Sequence, residues 1–80
     1  MNYDFEHYQM VAKNKLADWL VEDNDAVRVL AGALAAKRGQ IYGGSFAQAL
    51  ISNDLLTAVT HADKKTLKYL KEITIIVNNF

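Results

Sequence analysis

The chain has 80 residues and a mass of 9.0 kDa, with 9 Lys and Arg against 9 Asp and Glu, no Cys and no Pro. Domains usually run to about 100–150 residues, so the length excludes a second core and residues 1–80 are expected to form a single helical domain. Without Cys there is no disulfide framework and no cysteine-ligated metal or cluster, which suits a reducing cytosol. The zero net charge argues against a protein whose main task is gripping nucleic acid through phosphates. No apolar run is long enough to span a bilayer, and the polar start from Met1 to Gln9 does not read as a signal peptide.

Ala, Leu, Lys and Glu fill the intervals between only four Gly, so helix is the default conformation. The first segment, Tyr3 to Val21, repeats Phe5, Tyr8, Ala12, Leu16, Trp19 and Leu20 at three-to-four spacing, with Asp4 and Glu6 at its positive end. Glu22, Asp23, Asn24 and Asp25 form a polar break in which Asn24 or Asp25 can cap the next helix. The second helix, about Asp25 to Arg38, carries Val27, Leu30, Ala31, Leu34 and Ala35 on one face, then Lys37, Arg38 and a terminating Gly39. Its small residues invite close approach by another helix, from within the chain or from a second copy.

Beyond Gly43 and Gly44, Ser45 or Gly44 can start a short helix carrying Phe46, Ala49 and Leu50. Ser52, Asn53 and Asp54 then offer a second cap before Leu55, Leu56 and Val59. Thr60 and Asp63 resemble a shortened capping box that opens a final helix with a Leu67, Leu70, Ile73 and Val77 stripe. The β-branched run from Ile73 to Val77 would read as a strand alone, but nothing else in the chain can pair with it. The expected fold is all-α, a compact unit of four to five helices with long first and last helices.

Gly44-Ser45-Phe46, Asn53-Asp54-Leu55, Ala62-Asp63, Ile76-Val77 and Asn78 together resemble a pattern recurrent in short proteins of tailed phages and prophages. That pattern has Arg before the Ala-Asp pair, where this chain has His61, and an aromatic near the final Asn, where it has Val77. The resemblance implies a phage origin, an α-helical fold and the cytoplasm of an infected bacterial host. It also implies an accessory role such as countering a host defence.

The best candidate site is Lys37, Arg38, Tyr42, Gly43, Gly44 and Ser45. A glycine-rich turn entering a helix presents free amides that favour an anion, and Lys37, Arg38 and Tyr42 would add charge and a stacking ring. The structural reading of the same residues is that Lys37 and Arg38 complement one helix end while Gly44 and Ser45 begin the next. A P-loop is excluded because no Lys follows the second Gly, and a nucleophile elbow because its closing Gly is missing.

His7 beside Asp4, and His61 beside Asp63, lack metal-ligand spacing, so no metal or cofactor is expected. Glu22, Asp23 and Asp25 read as a capped turn or as a mimic of an acidic surface. Lys64, Lys65, Lys68 and Lys71 read as a solvated strip, with Lys68 and Glu72 as an exposed pair. Residues 1–40 carry five basic and six acidic groups and residues 41–80 four and three, too even a split for a dedicated DNA binder.

No acid, base and nucleophile set can be assembled, so the expected protein is not an enzyme. The leading expectation is a homo-oligomeric binder that sequesters a small anionic, nucleotide-type host signal at the Lys37–Ser45 turn. The alternative is an inhibitor acting by direct contact with a host defence protein.

Overall fold

A computed structural model describes residues 4–41, 43–62 and 64–80, with the backbone alone for Lys65. Helix α1 (Phe5–Ala17) begins at Asp4, whose carboxylate accepts from the His7 amide at 3.1 Å. It is shorter at its C-terminal end than its periodicity predicts. The Leu20 amide donates to Ala17 O and the Val21 amide to Leu16 O, both at 3.0 Å, so the chain reverses there and Val21 folds back into the core. This reversal places Leu20 in the left-handed region, with φ of 60°.

Helix α2 (Asn24–Lys37) is capped one residue earlier than expected. Asp23, not Asn24 or Asp25, accepts from the amides of Asp25 at 2.8 Å and Ala26 at 3.2 Å. Asp25 pairs instead with Arg28, at 2.8 Å. At the other end Gly39, with φ of +75°, lets the Gln40 amide reach Ala35 O at 2.9 Å. Leu30, Ala31, Ala33, Leu34 and Ala35 are fully buried, and α2 is the central element, packed against α1 and the helices that follow. The close helix neighbours that its alanines invite therefore come from within the chain.

Helices α3 (Ser45–Ile51) and α4 (Leu55–His61) form the expected short pair, separated by Asn53 at φ of 59° and by Asp54, the cap of α4. Asp63, the expected partner of Thr60 in a cap, lies outside the described residues; the Thr60 hydroxyl donates to Leu56 O at 2.9 Å.

The expected long last helix is divided into α5 (Lys64–Lys68) and α6 (Leu70–Asn78). At the break the Tyr69 amide donates to Thr66 O at 3.2 Å, and both pieces pack on α2. Thr66 is buried. The all-α expectation holds, but six helices are present among the described residues where four to five were expected. The β-branched run is helical, with Ile73, Ile76 and Val77 buried in the core cluster shared by α1, α2, α3 and α4.

Candidate functional site

Lys37 and Arg38 sit at the C-terminal end of α2, where the end of α6 meets them. Lys37 Nζ donates to the carbonyl of Val77. Arg38 Nη2 donates to Phe80 O at 2.8 Å, and its guanidinium lies 4.2 Å from the centroid of the Phe80 ring. Lys15 of α1 approaches the same ring, its Nζ 5.8 Å from the centroid. Two helix C-termini each carry unpaired carbonyls and a partial negative charge, so bringing them together calls for cations between them. Lys37, Arg38 and Lys15 supply that charge.

The diglycine turn packs against Ala36, the residue before Lys37. Gly43 has φ of +79°, and a Cβ there would come within 3.0 Å of the Ala47 Cβ and 3.1 Å of the Ala36 Cβ. Gly44 is the N-cap residue of α3 and supplies no side-chain cap; its carbonyl accepts from the Gln48 amide at 3.0 Å. Ser45 is exposed at the first position of α3, and Tyr42 lies outside the described residues.

Of the expected site residues, Lys37 and Arg38 are engaged at the C-terminal end of the chain. Lys37 is engaged by the Val77 carbonyl of α6 and Arg38 by the Phe80 oxygen just beyond that helix, negative groups that no solvent ion has to supply. Gly43 and Gly44 instead line a cavity of about 250 Å³ with Arg28, Gly32, Ile41 and Phe46. Arg28 is the cation of that cavity, and its guanidinium is paired with Asp25.

The other charged candidates resolve locally. His7 and His61 are exposed, and no group of three metal-ligating side chains occurs among the described residues. Asp23 and Asp25 are used in capping and in the Arg28 pair. Lys64, Lys68 and Lys71 are exposed, with Lys68 Nζ 5.4 Å from the Tyr69 ring centroid. Glu72 does not pair with Lys68; its Oε2 is buried without a hydrogen-bond partner. The Asp54 carboxyl is held below its ordinary value, chiefly by the Thr57 hydroxyl at 2.7 Å and then by the Thr57 amide at 3.2 Å, with slight desolvation opposing.

Sequence reasoning missed an apolar surface. Helix α4 turns only Ala58 into the core and leaves Leu55, Leu56 and Val59 exposed, Leu56 by 80%. Leu67 of α5 is also exposed. Leu55 and Val59 form one wall of a groove of about 370 Å³, closed by Leu70, Lys71, Thr74 and Ile75 of α6, with an almost wholly apolar lining. The sequence carried only the apolar face itself, Leu55, Leu56 and Val59 within seven residues, which gives no sign of whether that face is buried.

Among the described residues no helix is long and apolar enough to cross a membrane. Comparison of the chain with family models, with curated proteins and with solved structures gives no match.

Proposed function

We propose that the protein is a phage-encoded accessory protein that counters a host defence without catalysis, by direct contact with a protein partner through the face made by α4, α5 and α6. The observation that carries this reading is the apolar groove between Leu55, Val59, Leu70 and Ile75, with Leu56 also exposed on α4. Contiguous exposed apolar surface on a small protein marks a contact site, because leaving it in water costs free energy that a partner recovers. Small-molecule sites also need a few converging polar groups to fix orientation, and this groove offers almost none. The phage setting rests on the resemblance over residues 44–78.

Sequestration of a nucleotide-type anion is the second reading. It is favoured by one observation, the shared cavity of Arg28, Phe46, Gly43 and Gly44, and is weakened by the engagement of Lys37 and Arg38 with α6.

The two readings separate in one experiment. A defence-sensitive phage is plated on bacterial hosts carrying a panel of defence systems and expressing the wild type, Val59→Asp or Arg28→Gln. Under the contact reading the wild type and Arg28→Gln restore plaques and Val59→Asp does not. Restoration by Val59→Asp but not by Arg28→Gln overturns it in favour of the anion, which a nucleotide panel would then reveal as a raised melting temperature.

A further inference from the structure

Three helices of this protein end in the same way, with one residue in the left-handed region and the following amide bonded back to the helix. At the ends of α2 and α3 that residue is Gly39, with φ of +75°, and Asn53, with φ of 59°. Both types tolerate the conformation. At the end of α1 it is Leu20, with φ of 60° and 91% of its surface exposed. A leucine there carries backbone strain that Gly avoids and gains no burial in return. Nothing among the described residues explains the side chain, so its explanation is sought outside.

We propose that Leu20 of one copy fills the α4–α6 groove of a second copy, and reciprocally, in a two-fold dimer whose axis passes near Ile75. The proposal rests on the reading of that groove as a protein-contact face: in the free protein a second copy occupies it, and the host partner displaces that copy. Three observations fit a second copy. The groove's apolar walls suit a leucine side chain, and Trp19, also exposed, stands next to Leu20.

Ile75 lines both the groove and a smaller cavity walled by Lys15, Asp18 and Trp19. The projecting segment and the groove therefore adjoin on one side of the molecule. A two-fold axis between them satisfies both at once and closes the assembly as a dimer.

The charges are also opposite. Asp18 and Glu22 flank Leu20, and Lys71 lines the groove with Lys68 and Lys64 on the neighbouring helix. Among the described residues Asp18, Glu22 and Lys71 form no ion pair within the chain, which leaves them available across an interface. Such pairs chiefly set register and suppress wrong partners.

Sedimentation velocity of the full chain over a wide concentration range tests this. The wild type is expected to dimerise, and Leu20→Gly to weaken the dimer at least tenfold while its urea midpoint, measured at dilutions where both are monomers, is unchanged or raised. Glu22→Lys and Lys71→Glu should each weaken the dimer, and the double variant should recover most of the wild-type affinity. If Val59→Asp abolishes dimerisation but Leu20→Gly does not, the groove remains a contact face and Leu20 as its occupant is overturned. A wild type that stays monomeric up to about 1 mM overturns the inference outright, while Leu20→Gly, which keeps the groove intact, should still restore plaques, so the broader reading is decided separately.

Discussion

Arg38 lies 4.2 Å from the ring centroid of Phe80 and donates from Nη2 to the Phe80 oxygen at 2.8 Å, a contact that joins positions 42 residues apart. Lys37 makes the parallel contact with Val77, 40 residues away. Together they tie the end of α6 to the end of α2. Arg38→Ala should cost about 1 kcal/mol, the combined scale of an exposed charge-assisted hydrogen bond and a cation–π contact. Urea denaturation measures the loss, and amide exchange should place it in the last turn of α6.

Reversal of both charges separates a helix clamp from an anion site. Lys37→Glu with Arg38→Glu would set two carboxylates against carbonyl ends, and about 3 kcal/mol of stability should disappear. That is a large share of the total expected of an 80-residue chain, about 4–12 kcal/mol at the usual per-residue scale. A double variant with wild-type stability would show that the two cations do not hold α6.

Gly32 and Gly43 line the same cavity but should respond oppositely to alanine. A Cβ at Gly32 meets nothing within 4 Å, so Gly32→Ala should stabilise by up to about 1 kcal/mol through helix propensity alone. Gly43→Ala combines a positive φ with contacts at 3.0 and 3.1 Å against Cβ atoms of Ala47 and Ala36, and should destabilise by about 1–3 kcal/mol. Paired thermal melts of the two variants check both signs.

Asp54 gives a pH dependence with a definite sign. Its folded-state pKa lies below the ordinary 3.8, so the charged carboxylate stabilises the fold above that value, and the contribution is lost as pH falls through the lowered folded pKa. Asp54→Asn keeps an acceptor for the Thr57 amide but cannot titrate. The melting temperatures of wild type and variant should therefore converge as the pH falls into this acidic range and diverge above it, in a pH series followed by circular dichroism.

Leu34 tests the placement of the core on α2. It is fully buried between helices on several sides, and Leu34→Ala should cost about 2–5 kcal/mol by lost transfer energy and the cavity left behind. A denaturant midpoint within error of wild type would contradict that burial.

Much of the local structure was legible because it depends on neighbours in sequence. The start of α2 within one residue of its expected place, the stop at Gly39, the paired short helices and the Asp54 cap all follow from short-range hydrogen bonding. The division of the last helix at Tyr69 was not legible, because no Gly or Pro marks it and both pieces pack on α2, a contact distant in sequence. The exposure of Leu55 and Val59 was hidden for a related reason. Periodicity shows that α4 has an apolar face but not that its one inward position, Ala58, would be all the core accepts.

The candidate site divides along the same line. Sequence by itself determined that cations would gather at the end of α2 and that a glycine turn would follow, since both are demands of helix termini on nearby residues. Only the tertiary structure decided that Lys37 and Arg38 turn toward Val77 and Phe80, leaving Arg28 beside Gly43 and Gly44. The physical reason is reach: a long cationic side chain goes to the strongest fixed negative end within its radius, and which helix end arrives there is set by packing across 40 residues of chain.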